Sequence, residues 1–245
     1  MNKRLRLYHI LLRSERMGFM KKWLQQHKHI YMFLYFLIYL PWFAWLEKTV
    51  GHSPEYIIHV KIDDYIPFNE YFIIPYMLWF AFIGFWVLYF FLKDAKEFYQ
   101  LTGFLFIGMT IFLIVSTLFP NGHQLRPTEF VRDNIFVDMV KYLYTIDTPT
   151  NIAPSIHVYN TLCVWIAVHK SNYIKEHMSS YLRRLTYVAT SILSISIILS
   201  TMFLKQHSFL DVLSAFIMCG IIFRFVYKPA YETNNHKTKP SIENI

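Results

Sequence analysis

Two histidines and an aspartate, at the junctions of long apolar runs, are the residues of this chain best suited to chemistry. His207 and Asp211 are four residues apart, so on a helix their side chains face the same side. A carboxylate in that position can hold one imidazole nitrogen and leave the other free to attack or to carry a proton. His157, three residues after Pro154, offers a second imidazole at a predicted helix start. The alternative is that Asp211 only complements the dipole of its helix.

The elements around these residues are those of a membrane protein. Of the 245 residues, 55% are hydrophobic and only 16% are charged, and the charges cluster between long apolar runs. About 20 apolar residues are enough to cross the bilayer core as a helix. The sequence therefore predicts an all-α, polytopic fold, a bundle of six transmembrane helices. The predicted spans are residues 29–46, 72–92, 99–118, 154–168, 185–204 and 208–227.

This predicted membrane domain, residues 29–227, lies between two polar segments. Residues 1–28 are basic with interleaved Leu and Ile, which fits either an interfacial amphipathic helix or a basic tail that only sets topology. Residues 228–245 form a polar tail. The first apolar run ends in bulky aromatic residues rather than in a cleavage site, so we expect it to remain as a span. The sequence shows no nucleic-acid-binding pattern and leaves the oligomeric state open.

The basic residues predict the orientation in the membrane. All but six of the 24 Lys and Arg lie on the side of the two termini and of the loops at 93–98 and 169–184. By the positive-inside rule that side is cytoplasmic. The segments that hold Arg126, His157 and His207 then share the outer face. We expect an integral, multi-pass protein of the cell membrane with its site on the extracytoplasmic side.

On that outer face the sequence gathers the groups of a phosphate site. Arg126 offers a planar fork of donors that matches phosphate oxygens. Ser155 lies at a helix start, where free N–H groups and the helix dipole favour an anion. Lys205 adds a second cation, and His123 lies nearby in the sequence of the outer loop. With the two imidazoles, these residues indicate a site that binds phosphate and carries both a nucleophile and an acid.

The spacing of His, Cys, Asp and Glu matches no usual metal site. A metal held between His157 and His207 is a minor alternative. Cys163 and Cys219 lie within apolar runs, so we expect them to pack as small apolar residues rather than form a disulfide framework. We therefore expect neither a metal nor another cofactor.

Three short motifs in this chain resemble the signature motifs of the type 2 phosphatidic acid phosphatase superfamily. The motifs are Arg126-Pro127, Pro154-Ser155-x-His157 and Ser200-x6-His207-x3-Asp211. The resemblance covers about residues 70–227, and the order, the spacing and the placement between spans all match. It implies a six-helix bundle and phosphate transfer without a metal. In that family pattern His207 attacks phosphorus, Asp211 orients His207, and His157 protonates the leaving oxygen and then activates water.

The same resemblance implies that Arg126, Ser155 and Lys205 hold the phosphate oxygens, but three positions depart from the family pattern. Phe119 stands where the first motif has Lys, and Thr201 stands where the third has Arg. Two cationic phosphate ligands are thus missing, and Lys205 and His123 are the candidate replacements. Ile156 stands where the second motif usually has Gly. Similar losses occur in the lipid phosphotransferase branch, which looks like the sphingomyelin and inositol phosphorylceramide synthases.

These observations favour an integral-membrane lipid phosphate phosphatase that acts at the outer face through a phosphohistidine. The first alternative is a lipid phosphotransferase that moves a phospho-headgroup between lipids. The second is a non-catalytic lipid transporter, against which two histidines and Asp211 on one face argue. A site with fewer cationic phosphate ligands suits a phosphodiester or a weakly charged monoester better than a diphosphate. The expected partners are the membrane and a lipid phosphate or phospholipid substrate.

Two further expectations concern the outer polar segments. Asp63, Asp64 and Glu70 lie in the first outer loop, where we expect them to be solvated. The helical spacing of apolar residues between 131 and 146 predicts a short helix on the membrane surface.

Overall fold

The computed structural model describes residues 27–50 and 54–227. The tail predicted at 228–245, and all but the last two residues of the basic segment predicted at 1–28, lie outside these described residues. The described part of the chain is mostly helical, as predicted, and we number its α-helices α1 to α9. They are α1 (Phe36–Val50), α2 (Lys61–Tyr65), α3 (Ile73–Lys93), α4 (Ala95–Leu118), α5 (Ile135–Ile146), α6 (Ile156–Lys170), α7 (Asn172–His177), α8 (Ser180–Phe203) and α9 (Phe209–Val226).

Shorter elements precede the long helices and join the loops that the sequence predicts to lie on the outer face, which we call the outer loops. 3-10 helices at Lys28–Tyr35 and Glu70–Phe72 lead into α1 and α3. Strand β1 (Tyr56–Ile57) pairs in parallel with strand β2 (Asn121–Gly122). This pairing connects the loop after α1 to the loop after α4, which carries Arg126.

Five helical stretches of the described residues are long and apolar enough to cross a membrane. They are Lys28–Thr49, Glu70–Lys93, Ala95–Leu118, Ser180–Phe203 and Phe209–Val226. The remaining predicted span, 154–168, corresponds to α6, which has only 15 residues. At 1.5 Å per residue α6 is roughly 22 Å long, shorter than the bilayer core of about 30 Å. The structure thus gives five helices of spanning length and one shorter helix.

Helix α6 lies among four longer helices and is mostly covered by protein. It packs against α3, α4, α8 and α9. Tyr159 of α6 is fully buried, and its hydroxyl donates a hydrogen bond to the carbonyl of Phe104 on α4. A Cβ at Gly108 would lie 2.1 Å from the Tyr159 ring, so only glycine leaves room for this packing of α4 on α6. Most of the α6 surface is thus covered by protein, and Trp165 and Lys170 are its exposed side chains.

Serine and aspartate side chains set where the long helices begin. Asp94 alone separates α3 from α4, and its carboxylate accepts a hydrogen bond of 2.8 Å from the Glu97 N–H. Ser155, Ser179 and Ser208 cap α6, α8 and α9 in the same way. Such caps satisfy N–H groups that have no partner within the helix. The caps of α6 and α9 matter most here, because those two helix starts carry the histidines.

Helix α5 lies at the outer loops, where the sequence predicted a short helix. Val137, Val140 and Leu143 face the protein and are buried. A second apolar stripe faces outward. Its exposed members are Ile135, Met139, Tyr142 and Ile146, at helical spacing. This is the surface that an interfacial helix presents to lipid.

Candidate active site

The connection between α8 and α9 positions His207. The N–H groups of Gln206 and His207 both donate to the carbonyl of Thr201, at 2.9 and 3.0 Å, which closes a tight turn. Lys205 takes a φ of 52° to make this turn, a left-handed conformation that is uncommon outside glycine. The turn presents the His207 side chain, which is 9% exposed, directly before the start of α9.

Asp211 faces His207 as the sequence predicts, and it also caps its own helix. Its Oδ2 lies 3.5 Å from Nδ1 of His207 and accepts a hydrogen bond of 2.8 Å from the N–H of Ser208. The interpretation of Asp211 as a helix-start residue and its interpretation as a partner of His207 are therefore both correct. With Nδ1 directed to the carboxylate, Nε2 is the nitrogen of His207 left to act as a nucleophile.

His157 joins His207 from a different helix. The two imidazole centroids lie 5.9 Å apart. The His157 ring packs between Tyr76 at 4.8 Å and Trp79 at 4.3 Å, both on α3. The N–H of Ser155 donates to the carbonyl of Asp211 at 3.2 Å, which ties the start of α6 to the start of α9. The structure thus brings together the histidines of the second and third motifs.

Ser155 itself is fully buried, and its hydroxyl oxygen accepts a hydrogen bond of 3.4 Å from the N–H of Val158. Its position two residues before His157 places the N-terminus of α6 beside the two imidazoles. An anion at that place gains from the helix dipole. The expected role of Ser155 near a phosphate is compatible with this position, and its observed contact is that of a helix cap.

Arg126 reaches the site but uses most of its donors on the protein. Its Nη1 donates to the carbonyl of Tyr144 at 3.2 Å, and its Nη2 donates to the carbonyl of Asp147 at 2.7 Å and to Oε1 of Gln206. The guanidinium lies 4.3 Å from the Tyr144 ring centroid. Its Nε is buried without a hydrogen-bond partner among the described residues. Arg126 therefore keeps its Nε–H and one Nη1–H for a ligand.

Lys205, expected to bind phosphate, instead holds the first outer loop. Its Nζ donates to the carbonyls of Asp63 and Ile66 at 2.7 and 2.5 Å. Partial burial lowers its pKa, an effect that the nearby Asp63 and Asp64 oppose. Lys205 is thus a loop tether in this structure rather than a free cation at the histidines.

His123 is the other candidate replacement for a missing cation. Its ring is neutral, and both ring nitrogens are hydrogen-bonded to the protein. Its Nδ1 accepts from the N–H of Leu125 at 3.1 Å, so its Nε2 carries the proton and donates to the carbonyl of Gln206 at 3.0 Å. Burial lowers the pKa of His123 to about 3. Both ring nitrogens therefore brace the turn that carries His207, and neither is left for phosphate.

The expectation that the acidic residues of the first outer loop are solvated is wrong for two of the three. Asp63 is 2% exposed, and its carboxylate accepts from Ser208 Oγ at 2.6 Å, Phe209 N at 2.8 Å and Val60 N at 3.0 Å. Glu70 is 1% exposed and pairs with Arg132 at 3.0 Å. Only Asp64 is exposed, in a pair with His59. Asp63 thus fastens the first outer loop to the start of α9.

Asp147 is a carboxylate of the site that sequence reasoning missed. Its Oδ2 accepts from the Tyr76 hydroxyl at 3.0 Å and from Nε2 of Gln206 at 3.3 Å. Burial raises its pKa, while the hydrogen bond from Tyr76 and the charges of Arg126 and His207 oppose that rise. Its position directly after a helix at an outer loop is the one sequence signal that could have singled it out.

Asn121 shapes the loop before His157 and was also missed. Its side-chain Oδ1 accepts from the N–H groups of Ile152 and Ala153, both at 2.9 Å. Its carbonyl accepts from the N–H of Asn151, which takes a φ of 55°. These bonds hold the chain that leads into the Ser155 cap, so the loop of the first motif positions the histidine of the second.

Several buried polar atoms of this region lack a hydrogen-bond partner among the described residues. They are Trp79 Nε1, Arg126 Nε, His207 Nδ1 and Asp211 Oδ1. Buried polar groups in proteins are nearly always paired, so unpaired ones call for an explanation. Trp79 and His207 both contact His157, and Asp211 contacts His207. Because His207 Nδ1 faces the Asp211 carboxylate, Trp79 Nε1 and Arg126 Nε are the unpaired donors of this set that remain for a polar ligand.

The arrangement places one imidazole beside a buried carboxylate, a second imidazole 5.9 Å away, and N–H donors of Arg126 that are partly free. In the described part of the chain, no group of three or more His, Cys, Asp or Glu is placed to hold a metal ion. Comparison of the chain with protein-family models, with curated proteins and with solved structures found no match. The motif resemblance and the geometry of the site are therefore the basis for a function.

Proposed function

We propose that the chain is an integral membrane enzyme that cleaves a phosphate ester bond of a lipid through a phosphohistidine at His207. The observation that carries the proposal is the meeting of the His157 imidazole of α6 with the His207 imidazole of the turn before α9. Their centroids lie 5.9 Å apart, and His207 faces a buried carboxylate. A transporter needs to bind and release a lipid, but it has no use for this combination. The five apolar helices of spanning length support a place in the membrane.

The proposed reaction has two steps. Nε2 of His207 attacks phosphorus, the P–O ester bond breaks, and its electron pair leaves with the lipid oxygen, which takes a proton from His157. A hydroxyl then gives its proton to His157 and attacks phosphorus, and the N–P bond breaks with its electron pair returning to His207. Asp211 stabilises the positive charge that His207 carries while it is phosphorylated.

The phosphate charge would be met by the remaining donors of Arg126 and by the N-terminus of α6 that Ser155 caps. This assignment needs no metal, in agreement with the expectation from the motifs. Water as the second hydroxyl makes the enzyme a lipid phosphate phosphatase. A lipid hydroxyl makes it a lipid phosphotransferase, and the engagement of Lys205 and His123 with the protein favours this second form, because few free cations are left.

The test measures turnover by the purified protein in lipid nanodiscs, in a buffer that contains EDTA. The substrates are a panel of lipid phosphates and phosphodiesters, and the products scored are free phosphate, the released alcohol and any new phospholipid. We expect turnover that survives EDTA and is inhibited by vanadate, which adopts the five-coordinate geometry of in-line displacement. Absence of turnover on the whole panel, or turnover that only a divalent ion restores, contradicts the proposal.

A labelling experiment tests the proposed orientation, in which both termini are cytoplasmic and the site faces outward. Val131 is fully exposed in the loop before α5, and Lys175 is exposed on α7. In intact cells an impermeant thiol reagent is expected to label Val131→Cys and not Lys175→Cys, because the basic residues favour a cytoplasmic α7. The parent chain is the control, since Cys163 and Cys219 are buried. Labelling of Lys175→Cys alone would invert the orientation.

A further inference from the structure

The imidazole of His157 is held by aromatic rings rather than by hydrogen bonds. In the part of the chain that the structure describes, neither of its ring nitrogens has a hydrogen-bond partner, although its backbone carbonyl accepts from Thr161 at 2.6 Å. The other two imidazoles of this region differ, since His207 faces Asp211 through Nδ1 and His123 is bonded through both nitrogens. The outer torsion of a histidine side chain has broad energy wells. The orientation of the His157 ring must therefore come from packing.

Helix α3 supplies that packing. Tyr76 and Trp79 are three residues apart on α3 and therefore share one face of the helix. Their ring centroids lie 4.8 and 4.3 Å from that of His157, with interplanar angles of 27° and 44°. Such short distances at such shallow angles are those of contacts over the face of a ring rather than at its edge. Since the nitrogens lie on the edge, the two contacts fix the plane of the imidazole and leave its nitrogens free for proton transfer.

Tyr76 is itself fixed at its far end. The residue is 1% exposed, and its hydroxyl donates to Oδ2 of Asp147 at 3.0 Å. The Tyr76 ring therefore cannot turn away from His157 without breaking a buried hydrogen bond. The Trp79 ring is held by packing, which includes an edge contact with Phe80 at 4.8 Å. One anchored ring and one packed ring thus define the place of the imidazole.

We propose that Tyr76 and Trp79 are positioning residues that hold His157 in the orientation in which it protonates the leaving oxygen. The inference rests on the proposed function and gives α3 a part in the reaction that the three motifs do not include. A general acid acts only within hydrogen-bond reach of the oxygen that it protonates, and a displacement of about 1 Å lowers the rate by about 10²-fold. The first step then depends on α3 to the extent that the leaving oxygen needs a proton.

The test compares phosphate esters that differ only in the leaving group. Dodecyl phosphate releases a strongly basic alkoxide, which needs the proton, whereas para-nitrophenyl phosphate releases a weakly basic phenolate, which needs little help. The methyl diesters of both are the second pair, for an enzyme that accepts only diesters. The measured quantity is kcat/KM, which covers the steps up to the departure of the first leaving group. We expect Tyr76→Leu and Trp79→Leu to lower it by about 10²-fold for the dodecyl ester and by less than about tenfold for the para-nitrophenyl ester.

Three further variants separate positioning from packing. Tyr76→Phe keeps the ring over His157 and removes only the bond to Asp147, so it should retain most of the dodecyl rate. Trp86→Leu is the matched control, because Trp86 is a buried residue of α3 whose ring contacts other aromatic residues of that helix, and any loss should fall on both esters alike. In a His157→Ala background, Tyr76→Leu should leave the ratio of the two rates unchanged, since no imidazole remains to be positioned.

Equal losses on the two esters in Tyr76→Leu and Trp79→Leu would show that the two rings only pack, and would overturn the inference while the proposed function stands. If these variants do not fold, or if the wild type accepts neither pair of esters, NMR of the wild type with labelled histidine decides. The ring currents of Tyr76 and Trp79 should shift the His157 ring protons upfield, and His157→Ala identifies the signals. Unshifted signals overturn the inference. The proposed function itself fails if no lipid phosphate or phosphodiester is turned over.

Discussion

Replacement of His207 with alanine is expected to abolish both turnover and covalent labelling, whereas replacement of His157 should leave labelling detectable. The assignment rests on the neighbours of the two rings. His207 faces Asp211 at 3.5 Å, and this carboxylate supports positive charge on the ring when Nε2 attacks phosphorus. His157 lies between Tyr76 and Trp79, with Thr161 rather than a carboxylate one turn further along the helix. It is therefore suited to move protons and not to carry the phosphate.

The expected losses differ in size and in kind. Loss of a nucleophile removes the reaction path and lowers kcat by about 10⁴-fold to 10⁶-fold. Loss of a general acid lowers kcat by about 10²-fold to 10⁴-fold. This loss is smallest for a substrate with a good leaving group, because such a group needs little help from a proton. Rapid quench followed by mass spectrometry of acid-labile phosphopeptides locates the phosphate. His59→Ala, at an exposed imidazole of the outer loop, is the control and should change neither readout. Phosphate on the His157 peptide, with His207 unmodified, would reverse the two roles.

Removal of the Asp63 carboxylate should cost both stability and activity, although Asp63 is outside the three motifs. Asp63→Ala leaves the hydroxyl of Ser208 and the N–H of Phe209 without their buried acceptor. Hydrogen bonds to a charged group contribute about 1.5–3 kcal/mol each, so we expect a loss of about 3–5 kcal/mol in the free energy of unfolding. Because Ser208 follows His207 directly, the displaced turn should also lower kcat by about 10²-fold.

Thermal unfolding in detergent and steady-state turnover measure these two effects. The neighbouring change Asp64→Ala is the matched control, because the Asp64 side chain is 62% exposed and pairs only with an exposed His59. Exposed pairs of this kind contribute about 1 kcal/mol or less. Equal melting temperatures and equal rates for Asp63→Ala and Asp64→Ala would show that the contact of the first outer loop with α9 is dispensable.

The sequence was sufficient to predict the parts of the site that depend on the spacing of nearby residues. Asp211 follows His207 by four residues, and this spacing predicted that the two side chains face each other. In the structure His207 precedes α9, so the capping turn at Ser208 gives the facing geometry. His157 and His207 could be assigned to one face by counting spans, and the structure brings their rings together. Apolar length alone likewise predicted the five helical stretches that are long and apolar enough to cross a membrane.

What the sequence could not provide depends on contacts between distant segments. Lys205 was expected to bind phosphate because it is a cation beside His207, but the carbonyls of the first outer loop take its ammonium. Asp63 looks like a solvated loop residue until its partners on α9 are known. The apolar run at 154–168 predicted a span, whereas the structure gives a helix of 15 residues, α6, packed against four other helices. Asp147 belongs to no recognisable pattern, since its role follows from Tyr76 and Gln206 together.

The bond between Asp63 and Ser208 joins residues 145 positions apart, and this separation has a consequence for biosynthesis. At a synthesis rate of about 5–20 residues per second, Ser208 emerges roughly 7–30 s after Asp63. During that interval the first outer loop has no α9 to hold, and Arg126 likewise lacks Gln206, which is 80 residues away. His207, the proposed nucleophile, is synthesised only with this late segment. Under the proposed function, a growing chain could not attack lipids, and activity would arise in one step when α9 docks.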